Sequence, residues 1–426
     1  MLKPISKDNR KEFSDYLASR AYELSPDMLV KTSTIIDQVR KDGDQALKDL
    51  TQKFDGITLD HLKVSAQELE EQAAKADPEF YQALENAAEN IRYFHQAQLQ
   101  HGYHLEKEDG IYLGQRVLPL DAVGIYVPGG RAQYPSSVLM NAIPAKIAGV
   151  RRIVMVTPPS KEGSINPNIA AAAKVAGVDE IYTIGGAQAV AALAYGTESI
   201  APVDKIVGPG NAFVAAAKKL VFGKVDIDMI AGPSEILVIA DEQANPAHVA
   251  ADLLSQAEHD PMASAILIST DESLIEAVNE ELKKQSAVLP KRAIVEESLK
   301  NYGTSILADT LEEAIEIGNE VAPEHLELQI QNARDYLPQV KNAGSVFLGY
   351  TTCESIGDYF GGTNHVLPTS GTARFSSALS VDAYIKKSFY LFYPEEALQK
   401  YGDQIIDMAT EEDLEAHANA VRIRLK

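Results

Sequence analysis

Ala122-Val123-Gly124-Ile125-Tyr126-Val127, an alanine-rich stretch at 136–148, and Arg152-Ile153-Val154-Met155-Val156-Thr157 together decide the fold. The outer segments are short apolar runs without polar alternation, as expected of strands buried on both faces. A helix between two such strands makes a parallel crossover. The pattern continues with a helix at 169–176, a strand at 180–184, a helix at 187–195, a strand at 205–207 and a helix at 211–221. Such repetition predicts a parallel sheet covered by helices on both sides.

The pattern then restarts. Residues 235–240 and 265–269 read as strands around a helix at 248–257; a strand at 305–308 precedes a helix at 311–320, and 326–330 and 345–348 complete the set. The expected fold is therefore α/β, with two incomplete Rossmann-like parallel-sheet domains and smaller helical N- and C-terminal segments. Residues 1–120, mostly helical and polar, are expected to contribute scaffold to the first α/β domain at 121–234. The second spans 235–380, and Ala231-Gly232-Pro233-Ser234 marks the edge between them. Residues 381–426 form the C-terminal tail, helical and charged from Glu395 onward, of the kind that docks on a partner subunit.

At 426 residues the chain exceeds one compact core. Its 39 Lys+Arg against 61 Asp+Glu give a net charge of −22, which argues against nucleic acid or an anionic membrane surface as partner. A small cationic or zwitterionic substrate fits better. The single cysteine, Cys353, excludes an intrachain disulfide and a cysteine-cluster metal site, and suits a reducing compartment. The start carries scattered charges rather than an apolar signal core, and no membrane-length apolar run occurs, so a soluble cytoplasmic protein is expected.

Three glycine-rich turns lie between expected strand ends and helix starts: Gly124-Ile125-Tyr126-Val127-Pro128-Gly129-Gly130, Gly185-Gly186-Ala187-Gln188 and Val207-Gly208-Pro209-Gly210-Asn211. Bare backbone amides there can approach a phosphate, which suits a dinucleotide, and Tyr126, Gln188 and Asn211 offer a ring face and amides for ribose or adenine. None completes G-x-G-x-x-G; Phe213 stands where the third glycine belongs. Plain βα connections are also glycine-rich for conformational reasons, and both readings stay open.

The chemistry-bearing residues come later. Ala322-Pro323-Glu324-His325-Leu326 sets a carboxylate beside an imidazole just past a helix-stopping proline, a pairing suited to proton transfer and water activation, or else a solvated loop pair. Gln256 and His259, three apart at the end of a helix that Asn245 can cap, share one face and can reach one ion. Asp358 and His365 sit on a glycine-rich loop, and His417 in the tail could add a nitrogen. Scattered nitrogen and oxygen ligands suit zinc. A denser group, His95, His101 and His104, reads as a solvated helical stretch.

These segments, together with Ala231-Gly232-Pro233-Ser234-Glu235, Ser255-Gln256-Ala257-Glu258-His259-Asp260 and Gly362-Thr363-Asn364-His365-Val366-Leu367-Pro368, resemble the histidinol dehydrogenase family in order along the chain. The resemblance implies NAD-dependent oxidation of L-histidinol to L-histidine via histidinal, the last steps of histidine biosynthesis. It implies Glu324 and His325 as catalytic groups and Gln256, His259, Asp358 and His417 as ligands of one zinc per subunit. Ser234, His325 and Glu412 would be further substrate contacts beside those ligands, and Tyr126, Gln188 and Asn211 cofactor contacts. It also implies a homodimer in which Glu412 and His417 act on the other subunit's site. A thiol route through Cys353, a zinc-dependent hydrolase and a non-catalytic two-lobed small-molecule binding protein are the competing readings.

Overall fold

The computed structural model describes residues 1–20, 24–129 and 134–425. Its contacts divide the chain into two units, 1–98 with 121–384, and 99–120 with 385–426. The expected edge at 231–234 falls inside the first unit, where the chain passes from one sheet to the next.

The first unit holds two parallel sheets of the same topology. One runs, in spatial order, Glu180–Tyr182, Arg152–Val156, Ala122–Tyr126, Lys205–Val207, Asp226–Ile227. The other runs Thr304–Leu307, Ser264–Ser269, Glu235–Ala240, His325–Gln329, Ser345–Leu348, with the short strand Lys3–Pro4 added beside Thr304–Leu307. In chain order each is 3-2-1-4-5, the doubly wound order without its sixth strand. Strand order reverses between Ala122–Tyr126 and Lys205–Val207 in one sheet, and between Glu235–Ala240 and His325–Gln329 in the other.

Local sequence explains the covering helices. Asn166, Asn211 and Asn245 each accept hydrogen bonds from the first free backbone N–H groups of the helices Pro167–Ala176, Ala212–Val221 and Pro246–Ala257. Such caps contribute about 0.5–2 kcal/mol each. Alanine lets these helices seat close to the sheet: in Gly186–Tyr195, every residue from Ala187 to Ala194 is buried. The N-terminal helix Pro26–Asp55 packs Ile36, Val39, Leu47 and Leu50 into the same core as Val190 and Leu193. That helix breaks at Gly43 (φ 55), where a side chain would strike the Glu198 carboxylate that accepts from Asp44 N–H at 2.8 Å.

The second unit is an antiparallel sheet, Ile385–Phe392, Tyr112–Pro119, Tyr103–Glu106, followed by helices Glu395–Glu411 and Glu415–Arg422. The mostly helical reading of residues 1–120 missed Tyr103–Glu106 and Tyr112–Pro119, and the tail, helical from Glu395 as expected, is preceded by a strand that was not assigned. Asp109-Gly110, a dipeptide that favours tight hairpins, was the available signal. Ile385–Phe392 gave no alternating pattern because its side chains are mostly exposed, Phe389 and Leu391 among them.

Candidate active site

The C-terminal ends of the first sheet's strands and the N-terminal ends of the second sheet's strands border one cavity of about 500 Å³. Pro128 and the turn Pro209-Gly210-Asn211 line it from the first sheet. Ser234, Glu324 and His325 line it from the second, with Gln256, His259 and Asp358 beside them. The first sheet thus opens its switch point to the cavity in the usual sense, whereas the second uses the opposite edge.

Glu324 and His325 reach this edge through a sharp change of structure. The helix Leu311–Val321 stops at Ala322, which adopts a left-handed φ of 48, and Pro323 cannot continue it; His325 then opens its strand. Both side chains are buried, at 8% and 2% exposure, so the pair is no solvated loop. One residue's backbone grips both: Glu235 N–H donates to Glu324 Oε2 at 2.8 Å, and His325 Nδ1 donates to Glu235 O at 3.0 Å. The Glu235 side chain forms a buried ion pair with Arg20 at 2.8 Å, and Arg20 also donates to Val321 O at the end of the preceding helix.

The dyad holds its protons tightly. Burial pushes Glu324 up to about 8, only partly offset by the neighbouring imidazole. Burial alone would disfavour the His325 imidazolium, but the carboxylates of Glu324 and Asp358 outweigh it and raise the ring to about 10. His325 Nε2 lies 3.3 Å from Asp358 Oδ1. Both ring nitrogens therefore face acceptors.

Asp358 belongs to the helix Glu354–Tyr359, and the charge of His325 holds its carboxyl below the usual range despite burial. Gln256 ends the helix Pro246–Ala257 and His259 follows one residue past its cap, with His259 N–H bonded to Gln256 O at 3.1 Å. Burial lowers the pKa of His259, keeping the imidazole neutral, the form that ligates a metal. Among the described residues no three His, Cys, Asp or Glu side chains are arranged to hold an ion. The candidate set relies on an amide oxygen, Gln256, and on His417. Glu412 and His417 are exposed and lie in the second unit.

Of the three expected cofactor contacts, Asn211 lines the cavity and caps the following helix. Tyr126 and Gln188 do not line the cavity and are buried, at 3% and 2% exposure; Tyr126 Oη accepts from Gly186 N–H at 2.9 Å, joining two glycine turns. Gly208 (φ 106) is clamped on both sides by a buried ion pair: its N–H donates to Asp228 at 2.7 Å, and its carbonyl accepts from Lys218 at 3.0 Å. Gly130, which ends the first glycine turn, lies outside the described residues.

His365, which the sequence sets with Asp358 on the glycine-rich loop as a candidate nitrogen donor, lines the cavity. Its Nδ1 donates to Asp358 O at 2.9 Å, and Ser137 Oγ lies 3.1 Å from Nε2. Its presence in the Gly362–Pro368 block was the available signal. The solvated reading of His95 fails: the ring is fully buried, bonds Gln98 through Nδ1 at 2.7 Å and stays uncharged by burial. His101 and His104 are exposed and belong to the second unit. Cys353 does not line the cavity, and burial, with Asp252, Glu327 and Glu354 nearby, pushes its thiol up, away from the reactive thiolate.

Known proteins resemble this chain along most of its length. Residues 19–425 match the family model for histidinol dehydrogenase. Histidinol dehydrogenase of Clostridium acetobutylicum is 54% identical over 99% of this chain and 97% of its own. That of Listeria monocytogenes is 56% identical over 93% and 92%. A crystal structure of histidinol dehydrogenase from Elizabethkingia anophelis superposes with a TM-score of 0.94 at 40% identity, covering 100% of this chain and 98% of that one. The cavity with its buried glutamate and histidine thus sits in an oxidoreductase, and the chain belongs to the histidinol dehydrogenase family.

Proposed function

We propose that this chain oxidises L-histidinol to L-histidine by way of histidinal, in the closing steps of histidine biosynthesis, with NAD and zinc at the cavity that carries Glu324 and His325. The observation that carries the reading is the buried dyad, gripped by one backbone residue and facing Asp358. Bound NAD would accept a hydride in each of two oxidations, and zinc would hold and orient the imidazole and amine nitrogens of the substrate. Gln256, His259 and Asp358 fit the metal by donor chemistry: one amide oxygen, one neutral imidazole and one ionised carboxylate, with His417 as a fourth donor.

The chain's own groups then have distinct tasks. Asp358 can serve either the imidazolium or a cation, and a cation there would leave Nε2 of His325 without its acceptor; Nε2 takes the alcohol proton as hydride leaves. Glu235 O keeps Nδ1 protonated, so Nε2 is the basic end. Water must then add to the aldehyde, and Glu324, whose burial raises its basicity, orients or deprotonates that water. His325 removes the proton of the hydrate in the second oxidation. Ser234 lines the same cavity as a substrate contact, Asn211 lines it at the cofactor turn, and buried Tyr126 and Gln188 support the neighbouring glycine turns.

The site is further proposed to be completed across a homodimer, with Glu412 and His417 supplied by the other chain. Supporting this, the second unit exposes Phe389 and Leu391 at 77% and 69%, more apolar surface than a small antiparallel sheet keeps in water. Among the described residues no helix is long and apolar enough to cross a membrane, which suits the proposed cytoplasmic setting. The direct test is absorbance at 340 nm on mixing protein, NAD and histidinol. Two NADH per histidinol, lost with a chelator and restored by zinc, are expected. A zinc hydrolase or a binding protein would form none.

A further inference from the structure

Beneath the cavity lies a layer of carboxylates and amides that the proposed chemistry does not use. Glu354, 2% exposed, accepts from Gln256 Nε2 at 3.2 Å and from Ser255 Oγ. Its backbone N–H donates to Glu327 Oε1 at 2.8 Å. The other oxygen of Glu327 accepts from Gln329 Nε2 at 2.8 Å, and Gln329 also reaches Asp252 Oδ2 at 2.6 Å. Gln256 itself is 1% exposed, so little water is available to satisfy its amide in another pose.

A primary amide has two ends, and only the oxygen ligates a metal. Turned about its last torsion, Gln256 would present an NH₂ group to the cavity. A carboxylate can only accept hydrogen bonds, so Glu354 selects the nitrogen end and leaves the oxygen end directed away from it. The reverse pose would set amide oxygen against carboxylate oxygen with both buried. Glu354 also begins the short helix whose last turn carries Asp358, four residues on and hence on the same face. One element therefore carries a candidate ligand and the group that orients another.

We propose that Glu354 is a positioning residue for the metal, fixing Gln256 with its carbonyl oxygen toward the ion and increasing the electron density on it. The inference rests on Gln256 being a ligand. Its test is the zinc dissociation constant of the full-length protein, measured by competition with a chromophoric chelator rather than by turnover. Glu354→Gln can pair with either end of the Gln256 amide and is expected to weaken zinc binding 10–100-fold, the range typical of outer-shell partners. The exchange Gln256→Glu with Glu354→Gln keeps the hydrogen bond and the total charge, and is expected to restore affinity to within about threefold of the parent, well below the 10–100-fold loss of the single variant. Thermal midpoints of both variants follow folding, and each is nearly isosteric with the parent. Wild-type affinity in Glu354→Gln would overturn the inference, as would failure of the exchange to restore what that variant loses. Gln256→Ala separates the two layers of argument: unchanged zinc affinity there would remove the ligand assignment itself, whereas weakened affinity there with normal affinity in Glu354→Gln would remove only the role of Glu354.

Discussion

His325 gives its Nδ1 proton to the carbonyl oxygen of Glu235 over 3.0 Å, which makes Nε2 the nitrogen that faces Asp358 and the cavity. Because the N–H of the same Glu235 binds Glu324, both reactive groups take their orientation from the strand they flank rather than from flexible loops. This fixed geometry separates their roles. If His325 takes the proton in both proposed oxidations, His325→Asn should slow each by about 10²–10⁴. Glu324→Gln should slow oxidation of supplied histidinal far more than oxidation of histidinol. Single-turnover NADH formation from each substrate checks this, and equal effects of Glu324→Gln on the two steps would contradict the water-activating role.

Cys353 gives a sharp negative expectation. Its thiol lies among acidic groups and is pushed up by burial, so little thiolate exists at neutral pH to attack an aldehyde. Cys353→Ala should retain turnover of histidinal within about twofold, since nucleophilic catalysis needs a populated thiolate. Loss of the second oxidation alone would reinstate the thiol route.

The clamp on Gly208 predicts a cofactor-selective defect. Its φ of 106 suits glycine, and a side chain would come within 2.2 Å of Tyr126 O. Gly208→Ala should cost about 1–3 kcal/mol in urea unfolding through backbone strain. It should also raise the KM for NAD several-fold while leaving that for histidinol nearly unchanged. An equal rise in both would mean that the turn does not serve the cofactor.

Glu180 supplies a pH test away from the site. Burial by itself would raise it, yet hydrogen bonds from Arg152, Tyr182 and Lys63 hold it down to about 2, against an ordinary value of 4.5. A carboxyl depressed in the folded state stabilises fully above its unfolded pKa, and that contribution is lost as pH falls through the folded one. The thermal midpoint of Glu180→Gln should therefore lie below the parent's at pH 6 and converge with it between pH 4.5 and 2. A gap that is constant over that window would show that the charge of Glu180 is not responsible.

The parallel sheets were legible because their strands are buried on both faces and read as unbroken apolar runs; Ser345–Leu348 was bounded to the residue. The antiparallel sheet was not, because Ile385–Phe392 leaves both faces largely open and loses the alternation that marks a half-buried strand. At the site, Glu324, His325 and the Gln256/His259 pair announced themselves through adjacency, helix spacing and family blocks. Glu354 did not, and His365 was singled out only as an imidazole on a glycine-rich loop, without its partners. Their meaning lies in contacts across the fold, to Gln256 98 residues away and to Ser137 228 residues away, which local spacing cannot report.

The central claim is that one divalent ion is shared by side chains from separate elements beside the Glu324/His325 dyad. Anomalous diffraction at the zinc edge, from crystals of the zinc-loaded protein with histidinol, measures this directly. The expected result is one strong peak per chain, about 2.0–2.2 Å from Gln256 Oε1, His259 and Asp358, with His417 of a neighbouring chain as the remaining protein ligand. A peak away from those residues, or none in active protein, would contradict it.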